Sequence, residues 1–578
     1  TFIGTDDFVK AATMALIREP CPHVTGELPD GAPRVEDNFM HACDAVAAFS
    51  HFRAASTTHS ANVLLLKCIV PKIAYMLELL PPPLSADAAK AAHALTVETY
   101  CDINDISKQE AAAVFDRLVL PPSLKGCGLR YFPDIAPAAY ATSRLHTAAA
   151  VAAAIEAAEA AQAAAAENLA LEDDTSSDDT AFRPVRRTTR PPPPPPPPTA
   201  AAAPPPPTTA PSEDITVDIN AVLDLLPATA RAEIDVNAIG SSDMKQYTHL
   251  QRKLTRHIEE ERAQRVLATA KAAVNNTVPG SEAHHAAERH LAHLNSCEGT
   301  WLLAPALSWT RISASYYRVA VRRYLRLPQP ICNYGDGAGS SRPPRNANSG
   351  ADQSHDLYGD YLLSVFNAEG QNQWHDLHEE IKHFFYRCAK QAGITSVTRE
   401  KRADNAPAGS RKRPGDVKIG STRHGWKAAA GKTLLVDVTT VSAVCKKWVA
   451  KAAAAMGGAA KAKAEKKTTK VLASGELSEN QYFLPLAFES EGARTEEVDK
   501  LLHAWAKLYK DTHGGTNGDM SLLLFKWHTE LALIRAKFTA KCILERAVFC
   551  AERQDNQDKI NIEVRPPLPD QLHVLDAH

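Results

Sequence analysis

The sequence predicts a multidomain protein in which helical regions lead, through a low-complexity linker, to an α/β domain near the C-terminus. Three observations predict this. A chain of 578 residues has room for three or four domains of the usual ~100–200 residues. Alanine, acidic residues and proline fill the stretch from about 148 to 211. Two β-prone runs, DVKIG and TLLVDV, follow each other farther along, between helical patterns.

Composition limits the classes of function. The net charge is −2, so nucleic-acid binding must depend on local basic patches. Eleven cysteines without a C-x-x-C pair favour a reducing compartment, and we expect a nuclear or cytoplasmic protein that is not secreted. No apolar run reaches the ~18–20 residues of a membrane helix, so no membrane partner is expected. Because the chain starts mid-pattern at Thr1, we expect it to be the back part of a longer reading frame.

The first 145 residues are predicted to be mainly helical. An apolar helix over 60–84 contains Pro71 and is ended by three prolines. Two more helices are predicted over 85–100 and 108–118. The run LKGCGLRYFPDIAPAAY then predicts a glycine turn that leads into an alanine-rich helix.

The stretch 146–215 predicts a spacer rather than a domain. An alanine helix over 148–166 precedes acidic and basic clusters and a run of eight prolines at 191–198. Such a composition cannot bury a core, and we expect it to be disordered or to form polyproline II.

The region 216–307 is predicted to be helical, with helices over 218–227 and 243–274. Its segment SEAHHAAERHLAHLNSC carries potential zinc ligands at helical spacings: His284, His285, Glu288, His293 and Cys297. No second ligand cluster of matched spacing follows, and alanine and leucine alternate with these residues. We therefore expect a solvated histidine face.

The two β-prone runs carry the candidate chemistry. Asp416 opens the first run, Asp437 lies within the second, and twenty residues separate them, enough for a hairpin with a long turn. Carboxylates on adjacent strands can share one Mg²⁺, which prefers oxygen ligands and can activate water at a phosphodiester. The alternative is an ordinary hairpin with solvated aspartates.

The flanking patterns give these aspartates a context. An amphipathic helix is predicted over 372–393, followed by the strand-like ITSVTRE. A lysine-rich helix is predicted over 445–472, and a strand, YFLPLAFESEG, begins at Tyr482. Together, RPGDV, LLVDVTT, the lysine helix and FLPLAFESEG resemble the restriction-like endonuclease domain, of the PD-(D/E)xK type, of non-LTR retrotransposon polyproteins.

Residues near the N-terminus resemble the same polyproteins. TFIGTDDFVKAA is similar to the segment that follows the palm of their reverse transcriptases. The stretch 120–143 is similar to the thumb-end signature, which Gly126, Gly128, Leu129 and Arg130 match. The paired aspartates of a polymerase palm are missing, so we do not expect this chain to polymerise DNA.

The resemblance implies a metal-dependent DNA endonuclease with defined site residues. Asp416 and Asp437 would hold Mg²⁺ or Mn²⁺, together with an acid from the first helix, Glu379 or Glu380, or less directly Glu400. Thr439 stands where many nucleases have lysine, so the lysine would come from the next helix. The candidates are Lys466, Lys467 and Lys470. Glu489 matches an acid that could orient a ligand or the lysine.

Basic residues near the aspartates suggest the DNA partner. They are Arg399, Lys401, Arg402, Arg411, Lys412, Arg413 and Lys463, which could contact phosphates without reading sequence. A solvated charged face is the alternative. The resemblance also suggests an element RNA as a partner.

The resemblance further implies a zinc knuckle before the endonuclease, and here it is degenerate. Cys332 matches the first ligand, whereas Gly335, Tyr361 and Val365 stand at the other three positions. These side chains cannot replace thiolate and imidazole, so no zinc is expected and packing must hold the region together.

These inferences divide the chain into six parts: a reverse-transcriptase thumb region (1–145), the linker (146–215), a helical region (216–307), a degenerate knuckle region (308–366), the endonuclease domain (367–556) and a tail (557–578). Two functions remain open. The first is target-site nicking by phosphodiester hydrolysis. The second is a catalytically dead nucleic-acid-binding or interaction protein of the same descent.

Overall fold

A computed structural model of the chain describes residues 58–77, 82–173, 224, 226, 228–232, 250–307, 310–329, 358–364, 373–399, 415–420, 424–475 and 477–552. These residues are mostly helical and include one small mixed sheet. Within the described part of the chain, no helix is both long enough and apolar enough to cross a membrane.

The chain divides into two compact units. One consists of Thr1–Met76, Asp87–Pro133 and Glu259–His578, and the other of Leu77–Ala86 and Asp134–Ile258. The first unit contains the sheet and every described candidate site residue. The second has its own small core, built from two long helices, in which Tyr140, Leu145, Leu250 and Leu254 are buried.

The N-terminal helices follow the predicted pattern with shifted boundaries. They are α1 (Thr58–Leu64), a π-helical turn (Leu65–Ile69), α2 (Val70–Leu77), α3 (Pro82–Asn104), α4 (Lys108–Ala113), α5 (Phe115–Val119) and α6 (Phe132–Asp173). The π turn ends two residues before Pro71, whose missing N–H and ring disfavour regular α-helical bonding in the preceding turn. Glycine is required at Gly126, because a Cβ there would lie 2.1 Å from the Leu120 carbonyl oxygen. Gly128 has a φ of 88°.

In the described part of the chain, five more α-helices lie between α6 and α12 (Gln373–Gln391). They are α7 (Ala228–Arg231), α8 (Leu250–Asn275), α9 (Glu282–Ser296), α10 (Ala314–Leu325) and α11 (Asp360–Ser364). The expectation that the residues of this segment form a solvated face is wrong for His293 and for Cys297, which follows the end of α9. His293 is 1% exposed, and its Nε2 bonds the Tyr324 carbonyl at 3.0 Å, while Cys297 is 2% exposed.

Helix α12 (Gln373–Gln391) leads into a four-stranded sheet of order β1-β2-β3-β4. The strands are β1 (Val397–Arg399), β2 (Val417–Ile419), β3 (Thr433–Val441) and β4 (Gln481–Glu489). β1 to β3 pair antiparallel, which confirms the predicted hairpin, and β4 runs parallel to β3. Parallel neighbours need a crossover, and α13 (Val449–Ala454) and α14 (Gly458–Ala473) provide it. Helices α15 (Glu496–His513) and α16 (Asn517–Glu552) follow.

The first unit has one extended hydrophobic core. Side chains from the N-terminal helices, such as Leu66 and Tyr100, belong to the same buried cluster as Phe385 of α12 and Trp505 of α15. The structure therefore packs part of the predicted thumb region and the predicted endonuclease region around shared apolar side chains. The division into six parts stays a prediction.

Candidate active site

Asp416 and Asp437 lie next to each other at one end of the hairpin. In the register of β2 and β3, Val417 pairs with Val436, and the paired ladder ends there. The Asp416 N–H bonds the Val436 carbonyl oxygen at 2.8 Å, and Asp416 Oδ2 accepts the Val438 N–H, so Asp416 lies against the backbone on both sides of Asp437. The charge of Asp416 also acts on the pKa of Asp437, which shows that the two carboxylates are close neighbours.

The hairpin forms where it does because its apolar residues are buried. Ile419, Leu434, Val436 and Val438 are all 0% exposed, and α12 and α14 both pack against β3. Within this apolar setting the side chain of Asp437 is only 7% exposed. A carboxylate at such a depth must have polar partners, because burying an unpaired charge is costly.

The partners of Asp416 come from α12 and β3. Nε2 of His378 lies 3.2 Å from Asp416 Oδ1 and donates to it. The Val438 N–H donates to Asp416 Oδ2 at 2.7 Å. Both oxygens of Asp416 therefore have a donor, and its carboxylate is fixed in orientation.

The partner of Asp437 is a lysine of α14. Lys467 Nζ donates to both carboxylate oxygens, at 2.9 Å and 2.8 Å. Of the three predicted lysines, Lys467 alone makes this contact among the described interactions, while Lys466 and Lys470 are exposed. Ala460, Ala464 and Lys467 follow one another at helical spacing, and the two alanines are buried. This face of α14 directs Lys467 to Asp437.

The two carboxyl groups have opposite pKa shifts. Burial raises the pKa of Asp437 to about 6, and the neighbouring Asp416 adds to this, while Lys467 opposes it. Burial also acts to raise the pKa of Asp416. This effect is outweighed by the hydrogen bond and charge of His378 and by the Val438 N–H, so the pKa of Asp416 is lowered. Burial acts against protonated His378, yet its bond to Asp416 raises its pKa. The site therefore brings two carboxyl groups, a histidine and a lysine into direct contact, and their charges partly neutralise one another.

The structure places the other predicted acids elsewhere. Glu379 bonds Lys382, which is 2% exposed, and Glu380 is exposed. His378, rather than either glutamate, contacts Asp416. Glu400 lies outside the described residues. Thr439 is buried in β3.

Glu489 lies at the far end of β4. Asp437 pairs with Pro485 and Val441 with Glu489, so Glu489 is four residues farther along, about 13 Å from the level of Asp437. Its Oε1 accepts the N–H groups of Ala459 and Ala460 at 2.9 and 3.0 Å, and its other oxygen accepts the Ser296 hydroxyl. Burial raises its pKa. The residue caps the N-terminus of α14, where a carboxylate is favoured.

Two of the predicted DNA-contacting cations are described. The Arg399 guanidinium lies 5.4 Å from the centre of the Tyr386 ring and donates to His383 Nδ1 at 3.1 Å. Lys463 Nζ lies 5.9 Å from the Trp448 ring centre, and burial together with the charge of Lys467 lowers its pKa. The remaining five, Lys401, Arg402, Arg411, Lys412 and Arg413, lie outside the described residues.

An ion-pair network occupies the region of the degenerate knuckle. Asp360 of α11 pairs with Arg323 and with Arg326, whose Nη2 lies 2.9 Å from Asp360 Oδ2. Burial acts to raise the pKa of Asp360, but the two guanidinium groups outweigh it and lower the pKa. Tyr361 belongs to the same short helix, whereas Cys332 and Val365 lie outside the described residues.

The donor set at the hairpin fits a hard divalent cation. Mg²⁺ is usually held by one or two carboxylates, with water and substrate phosphate completing its shell, and Mn²⁺ accepts the same ligands. Within the described ranges, no group of three or more His, Cys, Asp or Glu residues is arranged to hold a metal ion. A cation here would therefore depend on Asp416, Asp437 and a substrate oxygen.

Sequence reasoning missed His378, although a signal was present. Trp374, Ile381 and Phe385 form the buried stripe of α12, and His378 falls on that stripe at helical spacing. A polar residue on an apolar stripe points toward a partner in the interior. No protein-family model matches the chain, and no curated protein matches it either.

Proposed function

We propose that this chain is a metal-dependent DNA endonuclease of the restriction-like type, descended from a non-LTR retrotransposon polyprotein, that nicks its target by hydrolysing a phosphodiester bond. The observation that carries the proposal is the neighbouring pair Asp416 and Asp437, with Lys467 bound to Asp437. The order of elements supports it. A helix, three antiparallel strands, a lysine helix and a parallel strand follow one another as the resemblance implies.

The residues of the site have separable roles in this proposal. Asp416 and Asp437 would hold Mg²⁺ or Mn²⁺, which when bound would neutralise phosphate charge and activate water. His378 and the Val438 N–H fix the orientation of Asp416. Lys467 holds Asp437 in place, and its ammonium is positioned to bond a phosphate oxygen that enters beside that carboxylate. Such a bond would stabilise the negative charge that develops during hydrolysis.

The basic residues near the site would bind the DNA backbone. Arg399 and Lys463 each lie over an aromatic ring, which limits their freedom before a phosphate arrives. Contacts of this kind supply affinity that falls with salt and carries no sequence information. Target DNA and an element RNA are the proposed partners, and no zinc is proposed at the degenerate knuckle.

A second candidate function is nucleic-acid binding without catalysis. One observation favours it: all four carboxylate oxygens of Asp416 and Asp437 already have donors from His378, Val438 and Lys467. A site neutralised in this way could persist as a structural ion-pair cluster next to a basic surface. The two functions differ in whether phosphate bonds are broken.

Plasmid nicking tests the proposal. The full chain is incubated with supercoiled plasmid and Mg²⁺ or Mn²⁺, beside Asp437→Ala and, as a matched control on the exposed side of α14, Lys466→Ala. Metal-dependent nicking that Asp437→Ala abolishes and Lys466→Ala retains is expected. Retarded DNA in a low-salt gel without nicking would establish the second candidate instead. If the chain neither nicks the plasmid nor retards it in the gel, both candidate functions are refuted.

A further inference from the structure

Two lysines beside the candidate active site are held around one aromatic ring. Lys447 lies just before α13 and Lys463 lies in α14, so the two are distant in sequence. Their Nζ atoms are nevertheless 5.3 Å and 5.9 Å from the centre of the Trp448 ring. We call Lys447 and Lys463 the lysine pair.

The packing of α13 on α14 brings the lysine pair together. Ala452, Ala453 and Ala459 are buried in the same hydrophobic cluster as Trp448, and α13 packs against α14. The chain turns between the two helices at Gly457, whose φ of 68° suits glycine. The short loop and the small alanine side chains therefore place both ammonium groups at Trp448.

The positive charge of the lysine pair has no counter-ion of its own. Within the described residues, neither Lys447 nor Lys463 forms an ion pair. The single acidic residue of α14, Glu465, lies two positions from Lys463 and so about 200° around the helix. Burial lowers the pKa of Lys463, and the charges of Lys467 and Lys447 lower it further, so these three ammonium groups are close neighbours. Like charges held together raise the free energy of the fold unless an anion neutralises them.

This positive charge is continuous with the candidate active site. Lys463 precedes Lys467 by four residues, about 6 Å along the axis of α14, and Lys467 bonds Asp437. The two Nζ atoms of the lysine pair are no more than about 11 Å apart, because both lie close to the same ring centre. A cationic patch therefore extends from Asp437 across α14 to Lys447.

We propose that the lysine pair binds two backbone phosphates of the DNA strand that is cleaved, so that this strand leaves the active site across α14 toward Lys447. The proposal rests on the proposed function for the identity of the polyanion and for the position of the cleaved bond beside Asp437. Lysine contacts phosphate as a point charge and reads no base, which suits a surface that positions DNA without selecting its sequence. The Trp448 ring limits the movement of both ammonium groups before DNA binds.

Fluorescence anisotropy of a labelled short DNA duplex in EDTA measures binding by the full chain without cleavage. Lys447→Gln and Lys463→Gln each remove one charge and keep a long side chain. Lys461→Gln is the matched control, because Lys461 is exposed and lies about 200° around α14 from Lys463. Each variant of the lysine pair is expected to weaken binding about 3–10-fold at ~0.1 M salt and to reduce the slope of log K against log[salt] by about 1. The control should change the affinity less than about 2-fold, and circular dichroism checks the fold of all three variants.

Nicking kinetics separate this proposal from the proposed function. Lys463→Gln should raise the DNA concentration needed for half-maximal nicking and leave the maximal single-turnover rate unchanged, because Lys467 and not Lys463 bonds Asp437. If the wild-type chain binds DNA and both variants bind it with the same affinity and salt slope, the lysine pair is not part of the DNA surface, and the proposed function stands. If the wild-type chain binds DNA without nicking it, weaker binding by the variants still supports the lysine pair, and only the endonuclease function fails. A wild-type chain that does not bind DNA would overturn both.

Discussion

Replacing Asp437 by asparagine should stabilise the fold at neutral pH while abolishing nicking. The reason is the cost of ionising a buried carboxyl group. Burial and Asp416 raise the pKa of Asp437 from 3.8 to about 6. The native state therefore holds this proton more tightly than the unfolded chain. The resulting stability is fully present below pH 3.8 and is lost as the pH rises through about 6.

The magnitude follows from the two pKa values. Ionising Asp437 in the fold costs about 3 kcal/mol at pH 7.5 and about 1 kcal/mol at pH 4.5. Asparagine carries no such cost, but it weakens the two hydrogen bonds from Lys467, a loss of about 1 kcal/mol. We therefore expect the variant to gain about 2 kcal/mol at pH 7.5 and to be near wild type at pH 4.5.

Urea unfolding at both pH values measures the difference. Asp376→Asn is the matched control, because that aspartate of α12 is 54% exposed and its substitution should shift stability by less than ~0.5 kcal/mol at either pH. If Asp437→Asn is less stable than wild type at pH 7.5, or if its effect does not depend on pH, the buried-carboxylate reasoning is wrong.

Three further predictions concern neighbouring features. In single-turnover assays, Lys467→Met should lower the nicking rate ~10²–10³-fold and Lys466→Met should lower it less than ~3-fold, because of these two lysines only Lys467 contacts Asp437. Equal losses in the two variants would show that the lysine helix acts only as a general basic surface. Glu489→Gln should destabilise the fold by about 1–2 kcal/mol, because it weakens the cap of α14. It should leave the metal concentration needed for half-maximal nicking unchanged, and a changed metal requirement would place Glu489 in the active site. Asp360→Asn should lower the free energy of unfolding by about 3–5 kcal/mol, because it removes the carboxylate shared by two buried arginines. A zinc chelator should not change the thermal unfolding midpoint of the wild-type protein. A midpoint lowered by the chelator would mean that a zinc ion holds this region together.

The hairpin and its aspartates could be predicted from sequence because the pattern is local. The short β-prone runs DVKIG and TLLVDV form strands that pair through Val417 and Val436, and this pairing brings the adjacent Asp416 and Asp437 together. The strand beginning near Tyr482 was predicted for the same reason. The lysine helix was predicted as one element, yet it divides at 455–457, where Gly457 has a φ of 68°.

Contacts between distant segments could not be predicted in this way. His59 stacks on Tyr317, with ring centres 4.9 Å apart, and bonds the Ala304 carbonyl oxygen at 3.1 Å. No periodicity in a single segment encodes such a pairing. The same limit explains why Glu379 or Glu380 was expected in place of His378. Charge type suggested the glutamates, whereas the orientation of α12 against the sheet determines which side chain reaches Asp416.

The most direct test of the account is whether Asp416 and Asp437 share one divalent cation. Electron paramagnetic resonance of free Mn²⁺, titrated with the full chain at pH 7.5, counts bound ions without requiring activity. We expect Asp437→Ala to lose one Mn²⁺ site that the wild-type protein and Asp376→Ala both retain. Equal Mn²⁺ binding by all three proteins would contradict this expectation, because the neighbouring aspartates would then be an ion-pair cluster with no role in holding metal.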